Sequence, residues 1–155
     1  MARHIWTVLC TKASIDSQDQ SLSIHQVLEE VQATITLAPG QEPPGKLAVG
    51  VPVTVLSLWE RSNLAVPEVK ETVQLRIIDP DGKELARSDQ VISMAGAHIR
   101  FRAIVNVNPL VAHREGRYEF HVFASRGRRW AKVASVPLVV KISLTEARKE
   151  GARPS

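Results

Sequence analysis

Hydrophobic residues recur at every second position along most of this chain, the spacing of a β-strand rather than of a helix. Residues 4–13 set Ile5, Thr7, Leu9 and Thr11 against Trp6, Val8 and Cys10. Both sets are largely apolar, so this strand is expected to be buried on two sides or to lie at a contact. Residues 16–21 are a polar turn. Residues 22–37 read as one long strand with an irregularity such as a bulge near Glu29 and Glu30. The competing reading is a helical turn over residues 24–31, since Ile24, Val27, Leu28 and Val31 also fit helical spacing.

Three prolines and two glycines over residues 38–45 form a loop. Residues 47–61 form a strand with Val49, Val51, Val53 and Val55 in register, and Pro52 on the other parity suggests an edge or a bulge. A hairpin follows. Residues 72–78 and 83–94 flank Asp79-Pro80-Asp81-Gly82, where proline presets φ and glycine takes the left-handed position. Ile99, Phe101, Ala103, Val105 and Val107 line the next strand, with Arg100 and Arg102 on its outer side. Residues 117–125 alternate Tyr118, Phe120, Val122 and Ala124 against Arg117, Glu119 and His121, and residues 126–129 turn the chain. The last strand, residues 130–144, carries the longest period-two run, from Ala134 to Leu144, and Pro137 on the other parity favours an edge.

The count is about eight strands on short turns, the cadence of an all-β antiparallel sandwich. Its domain is expected to span residues 1–144. Residues 145–155 are expected to be a charged, disordered tail, although Ser143 and Glu146 fit a helix capping box.

Composition narrows this picture. Of 155 residues, 44% are hydrophobic and only 5% aromatic, so one core rests on Val, Leu, Ile and Ala. A single cysteine, Cys10, excludes a disulfide framework, and a buried inert thiol is its expected state. No segment has the roughly 20 apolar residues of a membrane span, and the N-terminus lacks a signal-peptide core. A cytoplasmic location is the expectation.

The net charge is +4, and arginine outnumbers lysine. Arg100, Arg102, Arg126, Arg128 and Arg129, with Trp130 adjacent, are the candidate anion-binding group, able to contact phosphates if they converge. The alternative is a solvated face with charges guarding edge strands. The five histidines show no zinc spacing, and the aspartates at 16, 19, 79 and 81 read as turn chemistry rather than a calcium site. No nucleophile elbow, phosphate-cradling glycine loop or paired-carboxylate signature is present. No catalytic residue, cofactor or metal is therefore assigned, and a ligand-binding or hydrolytic sandwich is kept as an alternative.

The apolar surplus points elsewhere. Leu56 and Leu58 lie on one face and Trp59 on the other, and Trp6 belongs to the first doubly apolar strand. A two-layer sandwich has polar outer faces, so Trp6, Leu56, Leu58 and Trp59 are candidate interface residues, covered either by the chain's own segments or by a partner. The expected role is a non-catalytic interaction or structural module with a protein partner or a second copy of itself.

Two short motifs carry resemblances. Gly116-x-Tyr118-x-Phe120-x-Val122 resembles the tyrosine corner of immunoglobulin-like sandwiches, where the tyrosine hydroxyl returns to upstream backbone. Phe120 stands where antibody domains carry a cysteine, so only the wider class and its Greek-key topology are implied. Asp79, Pro80 and Gly82 look like a hairpin common in bacterial domains of that class. A wider resemblance runs through Trp6-Thr-Val-Leu-Cys10, Ile15-Asp16, Leu22-Ser-Ile24, Glu29-Glu30, Leu58-Trp59, Asp79-Pro80 and Gly116 to Phe120. These look like a family of small bacterial proteins of unassigned function, which brings no catalytic residues with it.

Overall fold

Alternation dominates the architecture: among the described residues nine strands pack as two sheets with one core between them. The structure, a computed structural model, describes residues 1–43, 45 and 47–147. The strands are β1 (Ala2–Ile15), β2 (Leu22–Val27), β3 (Glu30–Leu37), β4 (Val49–Arg61), β5 (Glu68–Ile78), β6 (Glu84–Ala95), β7 (Arg100–Ala112), β8 (Gly116–Arg126) and β9 (Arg129–Glu146). One sheet has the order β2-β1-β4-β7 and the other β3-β9-β8-β5-β6. Every ladder is antiparallel except β3–β9, which is parallel. The expected sandwich is therefore present, with nine strands instead of about eight and one parallel edge.

That edge corrects the reading of residues 22–37 as one strand. The irregularity at Glu29 is the point where the chain leaves one sheet for the other, and Val139 N donates to Glu29 O at 3.1 Å as β3 begins. No helical turn forms there. β3 pairs with β9 only from Val139 onward, so the first half of β9 is an edge and tolerates Pro137, as its parity suggested. Pro52 sits in β4 at a register shift against β7 between Val51 and Val53, beyond the last β1–β4 pair at Thr54. A bulge on one side and a locally free edge on the other accommodate it. β9 runs through Ser143 to Glu146 as strand, so no helix cap forms at that pair. The rest of the expected tail, residues 148–155, lies outside the described residues.

The core follows the alternating positions. Trp59, Tyr118 and Phe120 are its largest fully buried side chains, set among Leu9, Ile92, Met94, Leu138 and Val140. One corner ties two sequence motifs together. Gly82 takes φ +86 in the Asp79–Gly82 turn, and Asp79 Oδ1 accepts from the backbone N–H groups of Asp81 and Lys83. Pro80 packs against Gly116, where φ is +144 and a Cβ would stand 2.7 Å from the proline ring. Two residues on, the Tyr118 hydroxyl donates to Arg114 O at 2.8 Å, and Arg114 pairs with Asp81.

Candidate functional site

The outer face of the four-stranded sheet is apolar, and the chain covers it. Trp6, Val8 and Cys10 of β1 stand opposite Leu58, Leu56 and Thr54 of β4. Arg102, Ile104 and Asn106 of β7 continue the same rows. β1 pairs with β4 only as far as Cys10; beyond it, the strand pairs with β2 alone. Gln26, opposite Thr11, has a left-handed φ of 53°. A straight continuation would carry the β1–β2 turn roughly 20 Å past Cys10. Instead Gln20 O accepts from Arg102 Nη1 at 2.7 Å, and Arg102 is level with Trp6. The hairpin of residues 11–27 thus doubles back across the sheet. Its apolar positions, Ala13, Ile15, Leu22 and Ile24, share one face, and Leu56 and Cys10 are fully buried.

Of the four candidate interface residues Trp6, Leu56, Leu58 and Trp59, burial withdraws Leu56 and Trp59 from any partner, and the chain's own segment supplies part of the cover. Trp59 is 0% exposed and belongs to the inter-sheet core, where its indole N–H reaches Ser57. Leu56 is likewise 0% exposed, and Trp6 and Leu58 are half-buried on the face the hairpin crosses.

Among the described residues no segment crosses the outer face of the five-stranded sheet. Its residues alternate with the core positions Val73, Leu75 and Ile77 of β5 and Tyr118, Phe120 and Val122 of β8. They form a connected polar network. Gln74 is only 3% exposed; its amide donates to Asp89 at 2.8 Å and accepts from Arg76 Nε at 2.6 Å. The Arg76 guanidinium lies 3.9 Å over the Phe123 ring. Phe123 meets His121 edge-on, and His121 Nε2 bonds Glu119 at 2.9 Å. That hydrogen bond, with Arg117 and Lys132 nearby, holds the Glu119 carboxyl below its ordinary value of 4.5. Arg87 and Arg76 face each other across β5–β6, and Glu84 lies between them, 2.9 Å from Arg87. Lys132 and Trp130 of β9 adjoin Phe123 and Ser125. Sequence alternation placed Arg117, Glu119 and His121 outward, but nothing in it announced that Gln74 and Arg76 would join them.

The five candidate arginines are not one cluster. Arg102 anchors the hairpin, and Arg126 donates to Glu71 and to Ala2 O, both at 2.9 Å. Arg128 and Arg129 are exposed at the β8–β9 turn of one sheet, while Arg100 is exposed on the other. One buried arginine escaped notice. Arg61, 6% exposed, donates to the carbonyls of Gly96, His98, Leu64 and Val66. Its signal was available, because Arg61 continues the inward parity of Val55 and Trp59.

Chemistry for catalysis is sparse. Cys10 is buried, its Sγ is 3.6 Å from Thr54 O, and burial pushes the thiol up from its ordinary value. Ser135 faces His121 across β8–β9, yet no hydrogen bond joins them, so the hydroxyl lacks an engaged base. A cleft of 370 Å³ at the hairpin base, lined by Thr11, Lys12, Thr54, Asn106 and Asn108, holds neither histidine nor carboxylate. Among the described residues no group of three or more His, Cys, Asp or Glu side chains is placed to hold a metal ion. The aspartates at 16, 19 and 79 accept from the backbone of their own turns. No helix among the described residues is long and apolar enough to cross a membrane.

No family model matches the chain, and no curated protein matches it.

Proposed function

We propose that this chain is a non-catalytic, immunoglobulin-like interaction module that binds a protein partner through the outer face of its five-stranded sheet. A single observation carries the reading. Among the described residues the chain crosses one outer sheet face with its own hairpin, burying Leu56 and Cys10, and leaves the other uncrossed, furnished with an ordered Arg76–Phe123–His121–Glu119 network. Arginine and aromatic side chains are the residues that interfaces concentrate. Here their rotamers are already fixed by hydrogen bonds and stacking, which lowers the entropy lost on binding.

The immunoglobulin-like assignment is supported by the sheet order, with the parallel β3–β9 edge, and by the Tyr118 hydroxyl returning to Arg114 O. A free, buried Cys10 suits a reducing compartment such as the cytoplasm.

The test is site-specific photo-crosslinking in cells. A photoreactive side chain at Ser135, on the open face, is expected to give adducts. The same group at Ser23, on the polar side of the covering hairpin, is not. Equal yields at both positions, or none at either, would refute the assignment. An adduct of twice the chain mass would identify the partner as a second copy.

A further inference from the structure

The Arg76 guanidinium is held from two directions and left unsatisfied in a third. Its Nε bonds Gln74, which Asp89 fixes in turn, and its plane stacks on Phe123. Among the described residues, neither Nη group makes a hydrogen bond. The nearest carboxylate, Glu84, is 3.9 Å from Nε and is bonded more closely to Arg87. On the other side of Phe123, Lys132 is its register partner on β9, exposed and without an ion pair among the described residues. An aromatic surface thus lies between two cations with unused donors. Both ring and guanidinium are preorganised, and a guanidinium edge suits a planar carboxylate.

We propose, resting on the open-face reading above, that this spot recognises an acidic segment of a protein partner. A carboxylate would accept hydrogen bonds from the Nη groups of Arg76 and from Lys132, with an apolar neighbour of that segment against the part of the Phe123 ring that Arg76 leaves uncovered. Charge complementarity selects this occupant over nucleic acid. Glu84, Asp89 and Glu119 share the face with the cations. A continuous run of phosphates would meet these acids wherever it crossed the sheet, whereas a single carboxylate reaches the cations alone.

The probe is a peptide of about eight residues with one central Glu between two Val and Ser or Gly elsewhere, titrated into isotope-labelled protein and followed by amide chemical shifts. Shifts are expected at residues 74–76, 121–123 and 130–132. Lys132→Gln, an exposed change that leaves the fold intact, is expected to weaken binding roughly tenfold, the loss of one charge-assisted contact. Arg76→Gln is expected to weaken it at least as much, and Arg128→Gln, at the exposed turn, to leave it unchanged. Equal binding on this face by the Gln-for-Glu peptide would overturn acid recognition and leave the open-face reading standing. Absence of shifts, or equal weakening by Arg128→Gln, would overturn acid recognition. Tighter binding of a heparin fragment at the same residues would replace it with general polyanion binding.

Discussion

Tyr118 closes a corner that two distant stretches of sequence build together. Its hydroxyl reaches Arg114 O at 2.8 Å while Pro80 lies against Gly116 and Arg114 pairs with Asp81. Tyr118→Phe removes one buried hydrogen bond and leaves the Arg114 carbonyl short of a donor. The expected cost is about 1 kcal/mol, or about 2–4 °C in Tm for a chain of this size. An unchanged Tm would show that the hydroxyl contributes nothing there. His4 supplies a second residue-scale prediction. Burial holds its imidazole below the ordinary value of 6.5, and the ring packs edge-on against Trp59. The unfolded chain therefore takes up a proton near pH 6.5 that the folded chain resists. Stability is complete above that pH and falls as pH drops from 6.5 through the lower folded-state value. Melting curves between pH 7.5 and 5.5 should show the decline. His4→Gln should flatten it, and an equal decline in that variant would place its origin elsewhere.

At the scale of elements, the hairpin of residues 11–27 decides which face of the molecule is available. It departs from β4 at Cys10, bends where Gln26 is left-handed opposite Thr11, and is fastened by Arg102 to Gln20 O. Arg102→Ala removes that fastening without touching the strand ladders. Amide exchange should quicken at residues 12–25 and stay unchanged in β8 and β9; uniform exchange across the chain would mean the hairpin is held by packing alone. The strands themselves were legible, because alternation is local: Val53 and Val55, or Phe120 and Val122, announce their face without reference to anything else. The doubly apolar character of β1 and β4 was legible too, and it announced a cover. What covered them was not, since no pattern in residues 11–27 says that a regular hairpin will fold back instead of extending its sheet. The same limit hid the site. Gln74 and Arg76 are ordinary outward residues of β5 until pairing sets Gln74 beside Phe123 and Asp89, and Arg76 beside His121.

Across the whole molecule, three arginines tie distant stretches of backbone together. Arg102 holds the hairpin through Gln20 O, Arg126 joins β8 to Ala2 O and Glu71, and Arg61 gathers carbonyls from the β4–β5 and β6–β7 loops. Two of the five arginines that suggested anion binding, Arg102 and Arg126, belong with Arg61 to a fastening system for one end of the sandwich, opposite the end that Tyr118 secures. Arg61 is the strongest case, because among the described residues it is a buried cation with no ion pair and its Nε has no partner. Only the fan of carbonyl dipoles offsets its desolvation, and only a forked guanidinium reaches both loops at once. Arg61→Met keeps much of the side-chain volume and leaves the four carbonyls to find water. Loss of about 3 kcal/mol is expected, at the upper end for single substitutions because several buried acceptors are abandoned together. Urea unfolding should show a lower midpoint with an unchanged slope, the mark of a weaker fold of the same extent. Arg61→Lys should recover only part of the loss, since one ammonium cannot span both loops. Full recovery by lysine would mean that the charge, not the fork, holds this end of the molecule closed.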